Sequence, residues 1–140
     1  YQSICTHIIQ ALEPLGVNAS YEPVNDITVS GQKISGGTLR HANNVIYTGC
    51  TLLYDVNPDD MFTYLDPDED KYTSNGYDDP RERVTSITDH ADASFDDVTQ
   101  QITDYLTATF NAEQSSWTDH ELSLAEEHAD KYRDRSWLHR

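Results

Sequence analysis

The sequence predicts an α+β fold, an antiparallel or mixed sheet packed by helices, and three observations predict it. Apolar residues recur at helical spacing near the start, the period falls to two from Asp26, and helical spacing returns after Pro58. Strands gathered in one run and helices in another are the order of an α+β chain. A length of 140 residues suits one domain with one core.

Residues 1–15 carry Ile4, Ile8, Ile9, Leu12 and Leu15 at helical spacing, and Pro14 with Gly16 stops the helix. A short strand is expected at 17–21. Ile27 and Val29 then alternate with polar residues, Ser30-Gly31 supplies a hairpin turn, and Lys33-Ile34-Ser35 begins the return strand. Gly36-Gly37 marks a place where backbone bends or approaches something closely. A third strand is expected over 45–55, with Ile46, Leu52 and Leu53 as core candidates.

Pro58 opens a short helix through Met61, Phe62 and Leu65. Residues 66–80 read as a polar, acidic loop with Gly76 and two prolines, and loops beyond about 12–15 residues are usually functional or disordered. Val84-Thr85-Ser86-Ile87 is a brief extended piece. Ser94 with Asp97 resembles a capping arrangement, and Phe95, Val98, Ile102, Leu106 and Phe110 supply one apolar helical face. Thr118 and Glu121 form a clearer capping box, ahead of a helix carrying Leu122, Leu124, Ala125, His128 and Tyr132, with Trp137 near its end. There are no repeats.

Charge is the dominant feature of the composition. Nine basic residues face twenty-five acidic ones, a net charge of −16, and the acids are scattered over every segment. At ordinary ionic strength such a surface repels itself and destabilises the compact state. Screening within about 3 Å at 1 M salt removes most of that penalty. A salt-rich cytoplasm, as in a halophile, is therefore the expected setting, ahead of a basic partner. Nucleic-acid binding is disfavoured, because few cations are available to replace phosphate counterions. No apolar run approaches the roughly 20 residues of a membrane span, and no signal peptide opens the chain. Cys5 and Cys50 form no CxxC pair, so structural zinc is not expected and both read as free buried thiols.

Chemistry is expected between Asn25 and Gly37. Lys33 is one of three lysines, set between a tight turn and a double glycine. It reads either as a solvated hairpin lysine or as a point charge aimed at a carboxylate or phosphate. Spacing alone leaves both readings open.

Here a resemblance bears on the choice. Asn25-Asp26, a hairpin and Lys33-Ile34-Ser35-Gly36 resemble the N-D-x-x-V-x-x-x-K-I-S-G segment of lipoate-protein ligases, in the biotin/lipoate protein ligase superfamily. Arg40 falls where that family often has an arginine, and residues 49–53 resemble its H-G-[TS]-L-L strand. Leu65-Asp66-Pro67-Asp68, Lys71, Gly76 and Arg83-Val84-Thr85-Ser86-Ile87 parallel its loop ending in R-V-[ST]-x-[IL]. Glu121, Ala125, Lys131-Tyr132 and Trp137 resemble its closing pattern. The likeness is colinear over nearly all of the chain.

The resemblance implies ATP-dependent attachment of lipoate, through lipoyl-adenylate, to a lysine of a lipoyl domain. That acceptor belongs to the E2 component of a 2-oxoacid dehydrogenase or to the glycine cleavage H protein. Lys33 is then the cation at the acyl carbonyl and the α-phosphate. Asn25, Asp26, Ser35, Gly36, Arg40 and Gly49 border the adenylate, Asn25 and Asp26 also meet Mg²⁺, and 66–83 is a loop that covers the nucleotide. The family's R-R-x-x-G-G segment is absent and Thr48 stands where a histidine often precedes Gly49. Residues 1–140 are therefore expected to be the C-terminal portion of a catalytic domain. The N-terminal half would come from elsewhere, from a second polypeptide for instance.

Rival readings are a non-catalytic fragment that keeps the fold, an octanoyltransferase and a biotin-protein ligase. No cysteine occupies 18–26, where an octanoyltransferase nucleophile belongs. The G-I-L-x-E continuation of biotin-protein ligases is replaced by Gly36-Gly37-Thr38-Leu39-Arg40. Asp66, Asp68 and Asp70 mimic an EF-hand loop, but Lys71 and Tyr77 stand where it needs Gly and Glu.

Overall fold

The helical spacing of the first residues forms α1 (Gln2–Leu12), which buries Cys5, Ile8, Ala11 and Leu12. The computed structural model describes residues 1–138, without the side chains of Lys71 and Leu138, so the motif lysine Lys71 lies outside the described side chains. A 3-10 turn carrying Pro14 ends α1, closed by Gly16 in the left-handed region (φ 86°). The first strand, β1 (Ala19–Glu22), starts two residues later than the sequence suggests, and Val17 goes to the core instead.

Three further strands complete an antiparallel sheet in the order β1-β2-β3-β4. They are β2 (Asp26–Val29), β3 (Gln32–Ala42) and β4 (Val45–Leu52). Ser30 and Gly31 turn from β2 to β3 with φ of 52° and 84°, and Asn43 and Asn44 turn from β3 to β4 with 52° and 60°. Two-residue hairpins need positive φ at both central positions, which Gly and Asn tolerate best. The register sets Asp26 opposite Gly36 and Ile27 opposite Ser35, and shifts by a bulge between Ile27 and Thr28. All four residues of β2 are buried, since it lies between β1 and β3.

α1 packs on β1 and β2 and against α4 (Phe95–Phe110). Ile8, Leu12, Val17, Ile27, Val29, Ile34, Ile87 and Val98 form the core between them. Val84 makes a parallel bridge to Lys33, and the Thr85 and Ile87 amides donate to Lys33 O (3.0 Å) and Leu53 O (2.9 Å). This extended piece joins the start of β3 to the end of β4. Both expected capping boxes are formed, by Ser94 with Asp97 on α4 and by Thr118 with Glu121 on α5 (Asp119–Arg133).

Several expectations need correction. Ile46 is 60% exposed and Cys50 is exposed as well, because β4 is an edge strand of which only the Leu52 end reaches the core. Phe95 and Phe110 are also exposed, since they sit at the two ends of α4, and Val98 is the residue that helix buries. The strand expected over 45–55 stops at Leu52. Residues 66–80 are not structureless: they contain the short helix α3 (Asp70–Thr73), after α2 (Pro58–Tyr64). A last helix, α6 (Arg135–Leu138), follows α5. No described helix is long and apolar enough to cross a membrane.

Candidate functional site

The β2–β3 hairpin carries Asp26 at its base and Lys33 just past its turn. Lys33 lies back along its own strand, so that Nζ reaches Asp26 Oδ1 at 2.6 Å. Gly36 makes this possible. A Cβ there would stand 3.0 Å from Lys33 Nζ and 3.1 Å from its Cε, tighter than real Cβ contacts allow without displacement. The Lys33 and Asp26 side chains are 29% and 10% exposed, so the ammonium is half-buried beside a nearly buried carboxylate.

The second oxygen of Asp26 is also taken. Arg83 Nη2 donates to Asp26 Oδ2 at 2.9 Å and lies 3.9 Å from Glu22. One carboxylate therefore holds two cations, one on each oxygen. Asn25 stands behind them, its Nδ2 donating to Gly37 O at 2.5 Å while Gly37 N donates back to Asn25 O at 2.7 Å. That reciprocal pair holds the turn entering β2 against the middle of β3.

Lys33, Ser35, Gly36 and Arg83 edge a pocket of about 380 Å³. Leu53, Met61, Phe62, Leu65 and Val84 give it apolar walls, and Asp66, Tyr72 and Pro80 complete it. An apolar recess with a few convergent polar groups is the usual form of a small-molecule site. Ser35 is 1% exposed and its Oγ has no hydrogen-bond partner. A buried hydroxyl left unpaired in an apolar setting is unfavourable.

The loop after α2 lies against this pocket and is tied down at several points. Tyr77 OH donates to Gly31 O at 3.0 Å, and Gln32 Nε2 donates to Glu82 O at 2.8 Å, which fastens the loop to the hairpin tip. Arg81 pairs with Asp79 and reaches Asp59 of α2 at 3.0 Å. Hydrogen bonds from Arg81 hold the Asp79 carboxyl below the usual carboxylate range, and the two carboxylates push the guanidinium up. These groups are exposed, so the pairing positions the loop more than it stabilises the fold.

Of the residues singled out from the sequence, the structure brings Asp26, Lys33, Ser35 and Gly36 together, with Asn25 behind them. It does not bring Arg40 or Gly49 to the cluster. They pair with Tyr47 and Thr38 in the outer hairpin, where Arg40 lies about 23 Å along the strand from Lys33 at ~3.3 Å per residue. The sequence analysis missed Arg83 as a site residue, together with the walls built by Leu53, Met61, Phe62 and Tyr72. Arg83 appears in the sequence only as the first residue of R-V-T-S-I, fifty positions from Lys33.

Residues 1–107 match the model of the lipoyl protein ligase A/B catalytic domain. The chain belongs to that family. Lipoate-protein ligase 2 of Staphylococcus aureus is 31% identical to it over 98% of the chain and 43% of the relative. Lipoate-protein ligase LplJ of Bacillus subtilis is 38% identical over 61% of the chain and 26% of the relative. The chain thus spans less than half the length of these curated relatives. Among solved structures, lipoate-protein ligase A bound with ATP superposes with a TM-score of 0.80 at 24% identity, covering 96% of this chain and 56% of that one. A bi-partite lipoate protein ligase from Thermoplasma acidophilum gives 0.77 at 22% identity, covering 97% and 57%. At such identity the superpositions establish the shared α+β fold.

The lipoyl ligase resemblance also implies Mg²⁺ beside Asn25 and Asp26, and the donor set does not fit it. Both Asp26 oxygens already carry a cation, at 2.6 and 2.9 Å. A dication placed there would meet two positive groups at close range, where like charges repel strongly. Among the described residues no group of three His, Cys, Asp or Glu side chains could hold a metal ion. Neither cysteine belongs to the cluster. Cys5 is buried in the core, where burial pushes its thiol up, away from nucleophilic character.

Proposed function

We propose that this chain carries the lysine-bearing part of a lipoate-protein ligase site. In this reading it attaches lipoate, in an ATP-dependent reaction through lipoyl-adenylate, to a lysine of a lipoyl domain. The observation that carries the reading is the aimed Lys33 ammonium, seated over Gly36 at the edge of an apolar pocket, in a chain of this family.

The chemistry suits that geometry. A lipoate carboxylate attacks the α-phosphorus of ATP and pyrophosphate leaves. The acceptor amine then attacks the acyl carbonyl and AMP leaves. Both steps build negative charge on the carbonyl and α-phosphate oxygens, and a preorganised ammonium in a water-poor recess stabilises it. Lys33 supplies that charge, Gly36 the space for it, and Asp26 the direction. Asn25 acts on the cluster from behind through Gly37, while Arg40 and Gly49 belong to the outer hairpin, where contact with the adenylate would need substrate or further chain to reach them. The loop over 66–83, fastened to the hairpin tip, keeps water out.

The chain acts, in this proposal, as the C-terminal portion of a catalytic domain, with the N-terminal half supplied by another segment or polypeptide. Edge strand β4, exposed along nearly its whole length, supports that reading, since exposed edges are normally covered. So does the bi-partite form of the ligase from Thermoplasma acidophilum, which was described with its E2 lipoyl domain. Lipoyl domains of E2 or of H protein are the acceptors proposed here. A salt-rich cytoplasm is the proposed compartment, on the strength of the −16 charge.

The test is lipoyl-AMP formation from ATP and lipoate in molar salt. The chain is assayed alone and with an N-terminal half from the family, each with and without Lys33→Ala. Adenylate that needs the second half and is lost in the variant supports the proposal. Absence of adenylate from every combination, with the chain folded, would leave a fold without this chemistry.

A further inference from the structure

Two cations converge on one pocket in a chain that has only nine basic residues among 140, and the function proposed above uses one of them. Arg83 is the other. We infer that Arg83 is a second anion-binding side chain of this site, taking an oxygen pair of a phosphate or acyl-phosphate group opposite Lys33. This rests on the ligase reading and deepens it.

Geometry supports the assignment. The Arg83 side chain is 18% exposed and lines the same recess as Lys33, Ser35 and Gly36. Its hydrogen bond to Asp26 uses Nη2 alone, and Glu22 at 3.9 Å lies beyond hydrogen-bond reach. Nε and Nη1 make no hydrogen bond to any described residue. A half-buried guanidinium with donors to spare suits an acceptor with more than one oxygen, since its planar fork matches phosphate or carboxylate. The Lys33 ammonium is a point charge and gives no such orientation.

The spacing between the two cations is fixed by backbone. Residue 84 bridges Lys33 in parallel, and Thr85 N donates to Lys33 O at 3.0 Å, so Arg83 enters the site one residue from a strand pairing. Asp26 then holds each cation by a different oxygen and keeps them from relaxing toward solvent. An anion here would meet a fork and an ammonium.

AMP binding to the 140-residue chain tests this, read by calorimetry and by the Arg83 Nε–H signal in ¹⁵N NMR. The expected result is that AMP moves that signal in the unaltered chain. Arg83→Gln then weakens AMP about tenfold or more, Arg83→Lys recovers part of the loss, and Lys33→Gln weakens binding separately. An unmoved Arg83 signal while AMP binds would overturn the inference, as would Arg83→Gln binding like the unaltered chain. Failure of the unaltered chain to bind AMP overturns it too, and the ligase reading is then judged separately by lipoyl-adenylate formation with the second half present. If Arg83→Gln fails to fold, the NMR signal of the unaltered chain and Arg83→Lys decide.

Discussion

Lys33 Nζ lies 2.6 Å from Asp26 Oδ1, directly over the α-carbon face of Gly36 that any other residue would fill. The position of the ammonium is thus set by two residues, one that attracts it and one that makes room. Gly36→Ala separates these roles. The added methyl would crowd Nζ and Cε, the far end of a flexible side chain, so the ammonium shifts from its aimed position while the strand persists. Thermal stability should change little, and adenylate formation by the complemented ligase should fall by about 10²-fold, the usual scale for losing one aimed donor. Matched melting curves with unchanged turnover would contradict this account of Gly36.

How much of this cluster could be read in the sequence depends on where its members sit. Asp26, Lys33 and Gly36 share one hairpin, and hairpins announce themselves locally: alternation through Ile27 and Val29, then Ser30-Gly31 with both φ positive. Arg83 is 57 positions from Asp26, and no local pattern signals that contact. Ile46 shows the complementary failure. Its apolar side chain in an alternating segment looks like core, yet alternation only separates two faces and says nothing about whether either is covered. The loop at 66–80 was legible from its length and polar composition, whereas its anchors, Tyr77 on Gly31 and Arg81 on Asp59, are tertiary.

Acid should weaken the 3-10 turn at Ile87–Asp89, which follows the extended piece beside β3. The Ser86 amide, the Ser86 hydroxyl and the Thr85 hydroxyl all donate to Asp89, holding its carboxyl below the usual range, with a smaller contribution from nearby His90. A carboxylate depressed in the folded state stabilises above its unfolded pKa, and that contribution is lost as pH falls through the lower folded value. The window therefore lies at and below the ordinary Asp range, near pH 4. Asp89→Asn should lower the melting temperature at pH 7 and flatten its acid limb, measured in molar salt to suppress the general charge effect. An unchanged acid limb would count against Asp89 as a source of the pH dependence.

Salt should act on the whole molecule. With a net charge of −16, lengthening the Debye screening distance increases self-repulsion of the folded state. Melting temperature should rise steadily with potassium chloride up to molar concentrations. Replacing several scattered exposed Asp residues, such as Asp60, Asp96 and Asp130, by Asn should reduce that rise. A flat dependence on salt would remove the argument for a salt-rich setting.

Ser35 offers the sharpest separation between stability and binding. Its hydroxyl is buried and has no hydrogen-bond partner, and the register sets its side chain on the Ile27 face of the sheet, opposite the face of Lys33 and Asp26. Leaving a buried hydroxyl unsatisfied is unfavourable by about 1–3 kcal/mol, offset in part by the packing its oxygen provides. Ser35→Ala should therefore raise stability of the ligand-free chain by about 1 kcal/mol, read from urea unfolding. The same substitution should leave AMP affinity unchanged, since the hydroxyl lies on the core face of the strand, away from the Lys33 ammonium. Weaker AMP binding by Ser35→Ala would contradict this placement of the hydroxyl.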